Sequence, residues 1–566
     1  MVSSMILPPA LALIAAGLLL PLMRGPARAA LLLLAPLLSL WLVWLVPDGP
    51  ALNLPFLGHE LVVVSGSKLS RLFATVFSVM AFAGALFALN QRRTLELAAA
   101  FVYAGSAIGV VFAGDLITLF VFWEAMAVAS MLVLWSNGEQ ARAAGLRYAI
   151  MHFLGGVILM AGIAGEAAAT GSIAFARMDI STLPRLMILA GFLINAAATP
   201  LSAWLPDAYP QSSWSGMVFL SAFTTKTAVF VLIVGFPGTT LLIWIGLAMV
   251  FYGIIYAILE NDMRRILAYS IVNQVGFMVT GIGIGTEMAL NGAAAHAFTH
   301  IIYKALLLMS AGSVLYMTGR SKCSDLGGLF RTMPVTTVCG IIGALAISSF
   351  PFTSGFVSKS MISQGAADQH LVWVWFLLMA ASAGVFLHAG IKFPWFVFFQ
   401  KDSGLRPADP PWNMRAAMIV AAVLCIGIGL LPQPFYALLP YSTAYVPYTA
   451  SHVVAQLQLL LFSGLAFFLM LGWLKRTLTI TLDADWLWRK PGALIASAVM
   501  EAGAQGWYRL SSHARGLARL VHGRLLRGHG PSGPLARTWP TGVMAFWTTV
   551  MLAAFLIAGA LLGEQL

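Results

Sequence analysis

Residues 291–316 read NGAAAHAFTHIIYKALLLMSAGSVLY, a stretch long enough to cross a bilayer that nevertheless carries His296, His300 and Lys304. The three lie at i, i+4 and i+8. At about 100° per residue each step of four drifts only ~40° and rises ~6 Å, so the side chains share one stripe. Ionisable groups at membrane depth are costly, face a bundle interior or water, and mark ion pathways. Two histidines followed by an amine make a proton wire when waters bridge the gaps. The rival reading is a pair of hydrogen-bonded histidines beside a snorkelling lysine. Snorkelling works near helix ends, and Lys304 sits mid-segment.

The rest of the chain has the same character. Of 566 residues 60% are hydrophobic and 9% charged, and the mean hydropathy is +0.89. That profile excludes an ordinary soluble protein and predicts an all-α polytopic membrane protein. The net charge of +12 is confined to particular loops, which fits a membrane topology and speaks against nucleic-acid binding. Cys323, Cys339 and Cys425 form no CxxC pair. Their spacing argues against disulfide scaffolding, zinc and iron–sulfur sites. Residues 6–23 lack an A-x-A cleavage pattern and read as a first span.

Apolar runs fall near 6–23, 29–46, 72–89, 96–113, 115–135, 147–169, 185–208, 213–235, 238–258, 264–284, 290–316, 334–363, 371–399, 414–432, 452–474 and 541–562. The expectation is therefore about 14–16 transmembrane helices. Cations cluster after odd-numbered spans: Arg24 and Arg28, Arg92 and Arg93, Arg142 and Arg147, Arg264 and Arg265, Arg320 to Arg331, Lys401 to Arg415. Positive-inside then puts both termini outside the cytoplasm. Segment 475–540 opens on Lys475 and Arg476, passes through DADWLWRK and carries Arg509, Arg515, Arg519, Arg524 and Arg527 among apolar residues. Its 499–527 part reads either as a basic amphipathic helix on the cytoplasmic surface, touching lipid or a neighbouring subunit, or as a solvated loop. HGPSGP at 529–534 breaks it.

Further polar residues sit inside the spans. Glu124 is alone in an apolar run after Asp115. In residues 191–211, Pro200, Pro206 and Pro210 forbid an unbroken helix, and broken helices at membrane depth line cavities. Asp207 there is expected to cap or hydrogen-bond the restarted helix. Lys226 follows in an apolar run and is a natural switching partner for Glu124. SSFPFTSGFVSKSM, residues 348–361, breaks a second span and delivers Lys359 just past it, as internal duplication would. Lys392 lies nearer a helix end, where a snorkelling or lipid-anchoring role competes with a place in the relay. Arg264 and Arg265 read as topogenic or subunit-contacting charges, Asn273 and Gln274 as supports for a water chain, and His152 and Ser270 as packing or hydrogen-bonding residues.

FWE at 122–124, WLPDAYP at 204–210, DMRRILAYS at 262–270, HAFTHIIYKALLLMSAGS at 296–313, DLGGL at 325–329 and GFVSK at 355–359 come in a recognisable order. Over about 70–400 the chain resembles the antiporter-like subunits shared by respiratory complex I (its L, M and N chains) and the Mrp-type multisubunit Na+/H+ antiporters, most of all the D-type Mrp subunit and its complex I M and N relatives. The resemblance implies two inverted five-helix repeats containing broken helices, each with a half-channel, joined by a central hydrophilic axis. It matches Glu124 to the essential carboxylate and Lys226 to the link toward the centre. His296, His300 and Lys304 match the central relay, and Lys359 the end of the second half-channel. Asn195 stands where many relatives have a lysine that pairs with the carboxylate, and Ser202 where many have histidine. Either Lys226 takes over the pairing or the first channel is altered.

The expected organisation is N-terminal helices over 1–70, the translocating core over 71–400, C-terminal helices over 401–474, the basic segment over 475–540 and a final helix over 541–566. The expected function is that of a subunit of a hetero-oligomeric Na+/H+ antiporter in a bacterial inner membrane, an ion translocator without cofactor or metal. Asn195, Asp207 and Lys392 support its Glu/Lys/His relay. Three rivals stay open: a proton-pumping subunit powered by redox partners, as in a complex I-like NADH-quinone oxidoreductase or membrane hydrogenase; a proton-coupled inorganic-carbon uptake subunit; and a scaffold with a dead first channel.

Overall fold

A computed structural model describes residues 7–56, 58–473, 483–484, 486–530, 533–534 and 539–563. The start of the basic segment, Lys475 and Arg476, and part of its HGPSGP break lie outside them. Among the described residues thirteen helices are long and apolar enough to cross a membrane, and three shorter apolar ones occupy Pro9–Leu22, Leu183–Asn195 and Pro334–Ile347. The sixteen expected spans are therefore present, but three fall short of full length. Two of the three are the spans that the prolines and glycines were expected to break.

The chain opens with α1 (Pro9–Leu19) and α2 (Gly25–Leu45). An antiparallel hairpin that the sequence reading missed follows, β1 (Gly49–Phe56) paired with β2 (His59–Gly66). Its period-2 signal is diluted by Pro50 and Pro55. It is tied to the bundle where Val62 donates to Asp115, 2.8 Å away. The next helices are α3 (Lys68–Phe87), α4 (Thr94–Phe112), α5 (Leu116–Trp135) and α6 (Glu139–Thr170). Their starts are chemically marked. Ser67 and Ser70 bond reciprocally at the head of α3, and Asp115 accepts from the Thr118 amide at 2.7 Å to cap α5.

Then the first break occurs. Helix α7 (Leu183–Asn195) stops, and the chain continues through the one-turn helix α8 (Trp204–Ala208) into α9 (Gly216–Ala222) and α10 (Thr224–Gly235). Phe223, at φ −106° and ψ −67°, interrupts the last pair. Helices α11 (Leu241–Leu259), α12 (Met263–Ile284) and α13 (Glu287–Thr318) form the centre, with α12 wholly enclosed. The second break separates α14 (Pro334–Ile347) from α15 (Ser354–Asp368). Helix α16 (Val372–Val385) then runs into a π-helical stretch, Phe386–Lys392. The first unit closes with α17 (Trp412–Leu430), α18 (Pro432–Tyr436) and α19 (Ala450–Leu469). Asp483 also belongs to it, accepting hydroxyls from Tyr252 at 2.6 Å and Tyr269 at 2.9 Å.

Residues 486–566 form a second compact unit. It contains α20 (Ala493–His529) and α21 (Thr541–Gly563). The amphipathic helix expected over 499–527 is thus a continuous 37-residue helix. Val499, Trp507, Leu510, Leu517 and Val521 fall within an arc of about 100°, and the arginines lie off it.

The centre is held by close backbone approach. A Cβ added at Gly276 of α12 would lie 2.6 Å from the Gly246 carbonyl oxygen and 2.8 Å from the Val250 amide nitrogen of α11. In lipid, helix association depends on such packing of small residues. Gly276→Val should therefore cost about 1–3 kcal/mol through forced separation of α11 and α12. Gly427→Ala, on α17 with open space around it, should stay near wild type. Thermal melts in detergent compare the two.

Candidate functional site

The two breaks position the basic side chains. Where a helix stops, its last carbonyls have no amide donor from the following turn. Lys226 reaches back across the α9–α10 interruption and donates to the Ser221 carbonyl at 2.7 Å. Lys359 does the same across the second break, donating to Ile347, the last residue of α14, at 3.0 Å. Its ammonium also stands 4.9 Å from the centroid of the Phe277 ring. Lys392, far from snorkelling, is only 4% exposed. It donates to the carbonyls of Ala257, Ile258 and Glu260 at the end of α11, the last at 2.6 Å. Lys304 donates to Ser270 Oγ at 2.9 Å. Among the described residues the ion pairs are made by arginines, and none of these four lysines meets a carboxylate.

Helix α13 places His296, His300 and Lys304 on one fully buried stripe, as their spacing predicts. His296 Nε2 lies 2.9 Å from Gln274 Oε1, and Nδ1 lies 3.1 Å from Ser358 Oγ. Tyr303 donates to the same Gln274 oxygen at 3.1 Å. The two histidine rings are 6.2 Å apart, and neither nitrogen of His300 has a partner among the described residues. The helices adjoin in a row: α5 on α6, α6 on α7, α7 on α10, α10 on α12 and α13, α13 on α15. Beyond Lys359 lies a cavity of about 380 Å³ lined by Lys359, Ser360, Gln364, Tyr445, His452 and Gln456.

Three expectations need correction. Glu124 and Lys226 are not an ion pair. Lys226 is held by its helix-end carbonyl, while Glu124 lies on α6 at Gly156, where an added Cβ would stand 2.8 Å from its Cδ. Asp207 does not cap α8. It forms a two-bond ion pair with Arg147 of α6, at 2.7 and 3.0 Å. Arg264, read from the sequence as a topogenic or subunit-contacting charge, has an intrachain role that the sequence reading missed. It is 4% exposed and donates to the carbonyls of Pro210, Ser212 and Ser213, latching the loop after the first break at 2.8–2.9 Å.

The sequence reading also passed over two buried residues. Glu96 accepts from Ser213 at 2.7 Å and Ser215 at 2.5 Å, in a cluster completed by Gln91. His388 sits in the π-helical stretch, with Nδ1 2.9 Å from the Gly384 carbonyl. Each is a lone ionisable residue in an apolar run, TLELAAAF and VFLHAG. That was the same signal that singled out Glu124.

Fold and site together define the class: a multi-pass, antiporter-like membrane subunit with a buried basic row between broken helices. The family described as NADH:quinone oxidoreductase/Mrp antiporter, transmembrane, matches residues 113–385. NADH-quinone oxidoreductase subunit N of Desulforudis audaxviator is 31% identical over 356 residues, covering 57% of this chain and 70% of that protein. The probable K(+)/H(+) antiporter A/B subunit of Rhizobium meliloti is 30% identical over 64% of this chain, but the match spans only 40% of its own length. The D subunit of the Na(+)/H(+) antiporter of Alkalihalophilus pseudofirmus is 31% identical over 44% of this chain and 55% of its own. The chain belongs to this NADH:quinone oxidoreductase/Mrp antiporter family.

Solved structures agree on the fold. A chain of the archaeal membrane-bound sulfane sulfur reductase superposes with a TM-score of 0.71 at 21% identity, over 97% of this chain and 99% of that one. A chain of the Mrp complex from Dietzia gives 0.67 at 20% identity, over 80% and 99%.

The Arg147–Asp207 pair joins α6 to the broken segment, so it should be energetically coupled. In a double-alanine cycle read by thermal melts in detergent, the combined loss should fall short of the sum of the single losses by about 1 kcal/mol. Strict additivity would mean that the pair does not tie α8 down.

Proposed function

We propose that this chain is a membrane subunit of a multisubunit monovalent cation/proton antiporter. Protons pass along a relay made by Glu124, Lys226, His296, His300, Lys304 and Lys359, within a core spanning about 71–400. The observation that carries the reading is the bonding of the lysines. Each meets carbonyl or hydroxyl dipoles and no carboxylate, so losing its proton strands no buried counter-ion. A buried ion pair would resist that step, because removing one charge leaves the other unpaired. Sodium is the expected exchanged cation. The similarity to subunits of one Na(+)/H(+) and one K(+)/H(+) antiporter makes both ions the ones to measure.

The lack of redox motifs in the sequence assigns energy conversion to ion gradients or to partner subunits. The same similarity to subunit N of a quinone oxidoreductase supports the redox-driven alternative, with the channel unchanged. Partner subunits are also suggested by Glu124 itself. It is half-buried on α5 between the exposed Val121 and Val128, and an ionisable group facing lipid at mid-membrane would be costly. The basic loops orient both termini outside the cytoplasm of a bacterial inner membrane.

The test is Na+/H+ and K+/H+ exchange in everted vesicles from an antiporter-deficient host expressing the complete complex. Glu124→Gln and Lys304→Ala should each lower exchange at least about tenfold while the complex still assembles. Wild-type rates in both assembled variants would place the transport path in another subunit.

A further inference from the structure

Beside Glu124 lies a buried group that the relay above does not use. His152 and Gly156 are one turn apart on α6, so they share a face, with about 6 Å of rise between them. Glu124 of α5 fills the place of the missing side chain at Gly156. Asn195, at the end of α7, sets its Oδ1 2.8 Å from His152 Nδ1. An amide oxygen only accepts, so Nδ1 carries the ring proton and Nε2 keeps a free lone pair. His152 is 2% exposed and Asn195 1%. Glu124 Oε1, His152 Nε2 and Asn195 Nδ2 are all buried and unpartnered among the described residues.

Three orphaned polar atoms therefore lie on α6 and on the two helices packed against it, with Glu124 set one turn along α6 from His152, and buried polar groups ordinarily find partners. The ring is fixed from the remaining sides. Tyr148 of its own helix lies 4.1 Å away by ring centroids, its hydroxyl bonded to Ser130 of α5 at 2.8 Å, and Trp204 of α8 lies 4.6 Å from the imidazole and 5.4 Å from Tyr148, so the two aromatic rings flank it together. The Arg147–Asp207 pair lies nearby, Arg147 next to Tyr148 along α6, and is already satisfied. Helix α7, which holds the ring through Asn195, packs on α10, which carries Lys226.

We propose that His152 is the proton-exchanging partner of Glu124, with Asn195 as the positioning residue that sets its tautomer. This rests on the reading of Glu124 as a proton carrier. In the step, the O–H bond of the Glu124 carboxyl breaks and an N–H bond forms at His152 Nε2, directly or through one water. The products are a carboxylate and an imidazolium, and Asn195 Oδ1 accepts from Nδ1–H throughout. Passing the proton on toward α10 restores the neutral ring.

The test uses the complete complex in everted vesicles, with assembly checked on native gels. His152→Gln should lower exchange about tenfold or more, and adding Asn195→Lys should recover part of that loss by supplying another base at the same place. Asn195→Asp keeps the histidine and faces Nδ1 with a carboxylate, which should move the pH–rate profile toward higher pH by about one unit. A merely structural histidine would not move that profile. Exchange within twofold of wild type in His152→Gln, while Glu124→Gln is inactive, overturns the proposal. Should His152→Gln fail to assemble, an unmoved profile in Asn195→Asp overturns it instead. Activity retained in Glu124→Gln would mean that the relay reading itself has failed.

Discussion

The structure depends on lysine ammonium groups bonded to the carbonyl ends of interrupted helices. A helix stopped inside the membrane exposes acceptors that neither lipid nor a following turn can satisfy. The aligned peptide dipoles also concentrate about half a negative charge at that end. Lys226 at the end of α9 and Lys359 at the end of α14 each meet such a carbonyl terminus, and Lys392 meets the ordinary C-terminal end of the full-length α11 in the same way. One interaction thus satisfies two costly groups, and it explains why the breaks and the buried cations occur together. Removing the break would strand the lysine, and removing the lysine would strand the carbonyls.

That arrangement differs physically from a salt bridge. A lysine locked to a carboxylate in a low-dielectric interior is held by a full opposite charge, and neutralising either partner isolates the other. A lysine on peptide dipoles has no single partner to abandon. The arginines divide the labour accordingly. Arg147 pairs with Asp207, Arg185 with Glu166 and Arg265 with Glu260, fixed contacts suited to a group that hardly releases its proton. The fixed ion pairs are thus made by arginine and carboxylate, while the buried lysines rest on neutral dipoles.

The row is kept in place by its surroundings. Helix α12 is enclosed on every side and approaches α11 through glycines. It contributes Gln274 to His296 and Ser270 to Lys304. The polar groups of α12 look unremarkable one by one, since each is a neutral residue in an apolar span. Their importance comes only from facing α13.

Much was legible along the chain. Apolar runs of membrane length fixed the class, because in hydrocarbon only helices and closed barrels satisfy their own backbone. Pro200, Pro206, Pro210 and Pro351 located the breaks, since proline removes a donor and collides with the preceding turn. The i, i+4, i+8 spacing put His296, His300 and Lys304 on one face, because helical periodicity is local. What lay beyond reach was every question of partnership between helices. Glu124 and Lys226 looked like a pair because both are ionisable, yet one lies on Gly156 and the other on a carbonyl. Asp207 looked like a cap and is bound to Arg147 of another helix. His152 read as a packing or hydrogen-bonding residue, but that its partner is Asn195, forty-three residues on, was not legible. Residue type and period are properties of a single segment, so the sequence by itself determined where the helices run, where they break and that His296, His300 and Lys304 share one face. Which groups meet depends on crossing angles, glycine contacts and the positions of helix ends. Those are set by packing many segments at once, and only the tertiary structure decided them.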